Sequence, residues 1–426
     1  MKKTIALTFL LASFASFADV SVSGVSARQR WPWNGLVDID FSLKGASLGE
    51  FYDISVFATY NGDTRVRAST FVGDAVATGG VNRLVWNFGA DCPNVVANDL
   101  EVQVVAAMRA SDAPCYLVID VSGGSTATSY PVRYTTTPPT VHPGADGSND
   151  VCKTTEIWFR RIPGGTQAQG TGTAVSGSDS KASLPERPVT IGKDYYMAVF
   201  ETTQRQWFQV MGVWTGFFNG EEYRDTRPVE NIAEVGSLKN NGAIRGNFNN
   251  YNWPDNRQVD STYSFVGKLR TRSGLNGLDL PTEAQWEHAY RAGTSGDFYT
   301  NNIYTTYSSF GRYLGNRSST DKTATVDPAV GGTNYVGSYP PNPWGLYDMF
   351  GNVLELCLDQ WALSPAGVEY GKGEKDPEGP SVSAGNNRVA RGGCWDLADT
   401  WTHHAARRKF GSSSNYLGFR LVLNRP

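Results

Sequence analysis

Cysteine and histidine are scarce in this chain, and their scarcity removes several chemistries at once. Of 426 residues, five are Cys and four are His. Cys92, Cys115, Cys152, Cys357 and Cys394 include no C-x-x-C pair, which excludes a zinc ribbon built from thiolate pairs. An iron centre needs about three His or carboxylate ligands facing one point, and His142, His288, His403 and His404 are the whole imidazole supply. The adjacent His403 and His404, if on a strand, point to opposite faces and are not expected to share an ion. His288 has no Glu/His partner at metalloprotease spacing and reads as a helix-surface or rim residue. A surplus of positive charge is also missing: 38 Lys and Arg stand against 41 Asp and Glu, net −3. That balance argues against nucleic acid or acidic lipid as a partner. No Ser/His/Asp arrangement or pair of carboxylates is specific enough to indicate a hydrolase.

Long apolar runs are absent except near the start, where IALTFLLASFASF follows Lys2 and Lys3. This run falls short of the ~20 residues that span a bilayer, so no transmembrane segment is expected after cleavage. With the small-x-small sequence Ser16-Phe17-Ala18 it reads as an export signal over residues 1–18. The expected location is periplasmic, cell-surface or secreted. In that oxidising setting five cysteines allow at most two disulfides and leave one thiol over.

Glycine and aromatic residues are abundant: 46 Gly, 20 Tyr, 20 Phe and 12 Trp. They indicate a loop-rich, aromatic-packed protein with few long amphipathic helices. From residue 19 to 135 the runs VDIDFSL, YDISVFATY, RLVWNF, LEVQVVAAM and CYLVIDV alternate or carry β-branched residues between turn signals, predicting a small β-sandwich of immunoglobulin type. No titratable groups gather there, so presentation or docking is its expected role. Residues 136–152 have the Pro, Gly and small polar composition of a linker. Residues 153–426 then read as one large α+β domain. Within it, DLPTEAQWEHAYRAG predicts a helix with a Thr282/Gln285 capping box, a Gly293 stop and a core face of Trp286, Ala289 and Tyr290. A second helix is expected from about Thr202, with Trp207 and Val210 or Met211 inward.

Four motifs in this region occur in order: MAVFETTQRQW (197–207), LPTEAQWEHAYRAG (280–293), PPNPWGLYDMFGNVLELCLDQW (340–361), and RVARGGCW (388–395) closing with LGFRLVL (417–423). Together, from about Ile157 to Leu423, they resemble the formylglycine-generating enzyme, or sulfatase-modifying factor, family. The resemblance implies an irregular α+β fold related to the C-type lectin fold. The family includes copper-dependent oxidases, iron enzymes of sulfur chemistry and proteins without known catalysis, so membership alone does not assign activity. Aligned on RGGCW, where Cys394 replaces the usual Ser, the oxidases' two copper-binding cysteines fall on Leu397 and Thr402. Neither supplies the soft thiolate that selects Cu(I), so copper is not expected.

The same resemblance implies a calcium site at the Asp348 side chain, the Gly351 and Val353 carbonyls and the Glu355 side chain, an oxygen set that Ca²⁺ accepts. A second family calcium site would fall near Asn316, Arg317, Asp327 and Ala329. If VLELCLDQW and RVARGGCW are neighbouring strands, Cys357 and Cys394 can form a cross-strand disulfide or remain two buried thiols. Cys92 and Cys115 can pair in the sandwich, leaving Cys152. The C-terminal region also resembles that in which variable proteins of diversity-generating retroelements place their variation. Three functions stay open. Trp395, Trp401, His404, Arg407, Arg408, Asn415 and Tyr416 are residue types suited to binding a peptide or glycan. Against this stand a formylglycine-generating oxidase or other metal-dependent enzyme of the family acting on sulfatases, and an unrelated chemistry in the same cleft. Non-catalytic binding is the expectation carried forward.

Overall fold

A computed structural model describes residues 20–30, 35–46, 52–72, 75–77, 79–108, 115–142, 150–171, 175, 186–232, 244–245, 259, 263–299, 307–319, 322–361, 375–379, 387–410 and 413–424. The expected signal segment, residues 1–18, lies outside these.

Period-two alternation builds the N-terminal layers. In Tyr52–Tyr60 it places Tyr52, Ile54, Val56, Ala58 and Tyr60 on one buried face, since successive strand side chains point to opposite sides. This strand pairs with Thr64–Arg67, Val76–Ala77 and Glu101–Met108. A facing sheet runs Ser21–Gln29, Leu36–Lys44, Gly80–Asn87. The two share a core that includes Ile39, Phe41, Ile54, Val56, Leu84 and Trp86. The N-terminal region is β-rich, as expected, with Ser21–Gln29 as a strand that the run pattern did not mark.

The fifth expected strand, however, does not complete the sandwich. Tyr116–Asp120 pairs antiparallel with Glu156–Ile162, with Phe159 opposite Leu117. Val132–Thr135 pairs with Tyr116–Asp120 and touches Gly80–Asn87 at Asn82↔Val132. One nine-stranded sheet therefore crosses the expected boundary near residue 135 and continues through Tyr195–Ala198 and Val422–Asn424 to Leu278–Asp279. Leu117, Ile119, Val132 and Tyr134 belong to the same apolar core as Trp207, Phe265, Trp395 and Phe419. Arg83, paired with both Asp40 and Asp120, binds the seam electrostatically.

Of the expected 136–152 linker, residues 136–142 are mostly exposed, whereas the C-terminal end is packed. Asp150 pairs with His142 and Lys153, and Cys152 is buried in the short helix Val151–Thr154; residues 143–149 lie outside the described residues.

Most of the described C-terminal region is sheet or irregular, with few helices. Gln204–Met211 carries the Thr203/Gln206 capping box, one residue later than expected, and ends on left-handed Gly212. Glu283–Arg291 carries the expected Thr282/Gln285 box, but Ala292 takes the left-handed cap ahead of Gly293. Leu354–Gln360 and Arg388–Arg391 are antiparallel neighbours. Their cysteines nevertheless fall in different cores, Cys357 beside Trp286 and Cys394 beside Trp395. All five cysteines are unpaired, so neither expected disulfide is formed. None of the described helices is long and apolar enough to cross a membrane.

The strand pairing predicts where the chain can be cut. A fragment starting at residue 115 is expected to keep a cooperative thermal transition, and one starting at residue 150 to lose it, because only the second lacks Leu117, Ile119, Val132 and Tyr134. Circular dichroism melting compares them, and equal midpoints would contradict the shared core.

Candidate functional site

The helix Glu283–Arg291 is apolar on one face, through Trp286, Ala289 and Tyr290, but every other residue except the half-buried Gln285 is buried as well. Glu283, Glu287, His288 and Arg291 are each at most 6% exposed. Buried charge is tolerated only when paired and hydrogen-bonded, and here it is. Glu287 accepts from Arg391, from Arg291 at 3.1 Å, from the His404 ring at 3.0 Å and from the Gly170 N–H at 2.8 Å. Glu283 holds Arg407 through two bonds, the longer 2.8 Å. Arg391 also donates to the Ala406 and His404 carbonyls at 2.9 and 2.7 Å. Burial alone pushes the Glu287 carboxyl up, but Arg391, His404 and Arg291 overcome it and hold the group well below the usual carboxylate range. Composition gave no signal of this array; the acid pair at i, i+4 beside an inward Trp286 was the one available hint.

His288 is a correction. It is buried rather than on the rim, bonded to the Pro163 carbonyl at 2.8 Å and packed near Trp344. Burial lowers its pKa.

The array anchors the segment after RGGCW. Cys394 is buried in the apolar core, and burial raises its thiol to about 12. Asp399–Thr402 is a 3-10 turn rather than a strand. Thr402 is buried, donating to the Asp399 carbonyl at 2.6 Å. The histidines follow directly on this turn and lie in no strand, so the expected divergence fails. The His403 and His404 rings lie 4.3 Å apart, and with Asp297 they bring one ligand atom each to within 4.8 Å of one another. Burial, then the charge of His404, lowers the His403 pKa to about 4, against the opposing pull of Asp297.

The seven expected ligand-binding residues separate into two sets. Trp395, His404 and Arg407 are buried and structural: Trp395 packs edge-on against Phe218 and donates to the Asn415 carbonyl at 3.1 Å. Arg407 lies over Trp361 at 4.9 Å. Trp401, Arg408, Asn415 and Tyr416 remain partly exposed. The Arg408 guanidinium sits 5.1 Å from the Trp401 ring and 5.2 Å from Tyr416, a cation–π arrangement that holds three side chains as one patch. Beside it Asp396 joins Arg317 and Lys322, both over Trp395.

The expected calcium ligands are only partly suited to the ion. Asp348, at φ 56°, is buried; one oxygen accepts from the Gly337 N–H at 2.6 Å and the other has no hydrogen-bond partner. Glu355 is already committed: Arg420 grips both its oxygens and Trp286 donates to one at 2.7 Å. Glu201, which sequence reasoning did not single out, lies in this same buried cluster and accepts from Asn352 at 2.7 Å and the Val353 N–H at 3.1 Å. The four-ligand set does not fit, because a calcium ion at Glu355 would have to displace an internal guanidinium. At the second expected site Asn316 bonds the Gly311 carbonyl, Arg317 pairs with Asp396, and Asp327 accepts from the Ala329 N–H.

Charged pairs are thus buried in a sheet-rich frame beneath an irregular C-terminal surface. Residues 150–425 match the sulfatase-modifying factor enzyme 1-like domain, and the chain belongs to that family. It is similar to the chaperone protein LppX of Paenibacillus barcinonensis, 30% identical over 232 residues, covering 51% of this chain and 74% of that protein. It is similar to the formylglycine-generating enzyme of Thermomonospora curvata, 34% identical over 152 residues, covering 34% of this chain and 48% of the enzyme. The chain thus spans under half of that enzyme's length, and 21% of the serine/threonine-protein kinase pkn1 of Chlamydia pneumoniae, which it matches at 36% identity over 35% of its own length. Among solved structures, Treponema denticola variable protein 1 aligns with TM-score 0.45 and 24% identity, over 68% of this chain and all of that one. PvdO from Pseudomonas aeruginosa aligns with TM-score 0.45 and 18% identity, over 67% of this chain and 98% of that one.

Two predictions follow from the buried carboxylates. Because the Glu287 pKa is depressed on folding, its contribution is present above the unfolded value of ~4.3 and is lost as pH falls through the folded value. Glu287→Gln strands Arg391 and is expected to cost ~3–5 kcal/mol at pH 7, with a flatter acid limb, measured by urea unfolding against pH. Asp348 has the opposite sign. Burial raises it to about 6 despite the Gly337 hydrogen bond, so its ionisation costs stability progressively above the unfolded ~3.9 and fully above the folded value. Asp348→Asn is expected to be neutral or stabilising at pH 8, and millimolar calcium to leave the melting temperature unchanged. A calcium-dependent rise lost in Asp348→Asn would reinstate the ion.

Proposed function

We propose that this chain is an exported, non-catalytic recognition protein of the sulfatase-modifying factor family, lacking the copper chemistry of its oxidase members. One observation carries the reading. At the two places where the resemblance puts the oxidases' cysteines stand Leu397 and Thr402, and the motif's own thiol, Cys394, is buried and held protonated. Without a thiolate pair nothing selects Cu(I). The partly exposed patch of Trp401, Arg408, Asn415 and Tyr416 is the proposed contact for a peptide or glycan, since stacked aromatics and a guanidinium offer flat apolar area with directional donors. The relative LppX bears the name of a chaperone, a role that rests on binding. We also place the fold among those related to the C-type lectins, and export in the N-terminal apolar run.

The second reading, an oxidase or another metal enzyme acting on sulfatases, is favoured by the relatives named formylglycine-generating enzyme. A glycan and peptide array, paired with a copper-supplemented thiol-peptide oxidation assay, separates the two. The expected result is selective retention of array ligands, weakened tenfold or more in Trp401→Ala and Arg408→Ala, with no turnover. One equivalent of bound copper with peptide oxidation would overturn it.

A further inference from the structure

We propose that Asp297, His403 and His404 form a binding site for a late first-row divalent metal of the zinc class. Among the described residues this is the one group of three such side chains with ligand atoms all within 4.8 Å. The separation of His403 Nε2 from Asp297 Oδ1 is 3.3 Å, the edge of a tetrahedron about an ion with ~2.0–2.1 Å bonds.

The second imidazole is already anchored through one ring nitrogen. His404 Nδ1 faces Glu287 Oε1 at 3.0 Å; a proton held there assigns Nε2 to the metal, which binds with release of any second ring proton. Carboxylate support of this kind fixes the tautomer and raises ligand basicity in metal sites. Glu287 is itself fixed by Arg391 and Arg291, so the ring cannot swing away without breaking the buried array. The backbone closes the third side: the His404 N–H donates to the Asp297 carbonyl at 3.2 Å, tying the loop that carries Asp297 to the histidine turn. The Phe298 ring packs edge-on against His403 at 5.7 Å and backs the first imidazole.

Two imidazoles with one carboxylate are a borderline donor set, suited to zinc, cobalt or nickel and poor for calcium or magnesium. Three protein ligands leave a position on the solvent side, where the Asp297 side chain is 56% exposed. Binding has one local cost that also supplies a signature. His403 Nδ1 accepts from the Ala405 N–H at 3.0 Å, which places the ring proton on Nε2 in the metal-free protein. Taking Nε2 as a ligand moves that proton to Nδ1 and releases the Ala405 hydrogen bond.

The test titrates the full chain with Co²⁺ and Zn²⁺, following cobalt d–d absorption, calorimetry and imidazole nitrogen NMR. Asp297→Asn and His403→Gln are the chosen variants because neither belongs to the buried ion-pair array; their melting curves in chelator control for folding. The expected result is one equivalent of metal, a tetrahedral cobalt spectrum, transfer of the His403 proton from Nε2 to Nδ1, and affinity at least tenfold weaker in both variants. Calcium should not compete. Absence of binding, or binding unchanged in both folded variants, would overturn the site.

Discussion

The carboxylate of Glu287 is the constraint on which the C-terminal architecture turns. It is fully buried, yet four separate elements donate to it: its own helix through Arg291, the Arg388–Arg391 strand, the histidine turn and the Gly170 backbone. Desolvating a carboxylate is so expensive that only this multiplicity of donors makes it tolerable. The same multiplicity turns the penalty into specification. An alternative packing of the strand or of the turn leaves a buried charge unmatched. Arg407 on Glu283 and Arg420 on Glu355 repeat the device to either side, so the irregular segment after RGGCW is held by ion pairs where a regular element would be held by backbone bonds.

The nine-stranded sheet makes a related point about the N-terminal region. Composition separates a β-rich stretch from a glycine-rich one, and the change of texture near residue 135 is real. Strand pairing obeys a different accounting. Tyr116–Asp120 is apolar on both faces, with Leu117, Val118 and Ile119 all fully buried. A strand of that character belongs inside a sheet rather than at a sandwich surface. Glu156–Ile162 supplies the neighbour and the core of Trp207 supplies the cover. The sandwich is therefore carried on the family domain by a shared sheet and by Arg83 across the seam, which makes it part of the scaffold that presents the C-terminal surface.

Local signals were legible where they are local in cause. Thr282 with Gln285 specified a capping box that the backbone satisfies, and the alternation of YDISVFATY read directly as one buried face. The motif series from MAVFETTQRQW to LGFRLVL marked the family. What depends on partners far away in sequence was not legible. Arg407 and Trp395 have the composition of a binding surface, but Glu283, 124 residues before Arg407, draws the guanidinium inward, and Phe218 does the same for the indole. The paired histidines failed as a strand argument for a different reason. Whether neighbours diverge depends on backbone dihedrals, and His403 and His404 lie in a bend and turn after the 3-10 segment rather than on a strand. The unpaired cysteines follow from register: Cys394 lies past the end of its strand, so a neighbouring strand does not bring its thiol opposite Cys357.

Together these features fix a C-terminal frame whose geometry is set by internal contacts. The ion-pair array, the capping boxes and the RGG turn position a surface without prescribing what that surface does. Gly392 and Gly393 sit in the left-handed region at φ 95° and 72°, and a Cβ at Gly393 would meet Thr402 at 2.6 Å, so the turn's path is set by the glycines rather than by any ligand. Thr402 then occupies a closed corner, capped by Asp399 and by the Tyr290 hydroxyl on its carbonyl. What the frame leaves partly exposed is the aromatic cluster around Arg408 and His403 of the turn that Glu287 holds in place.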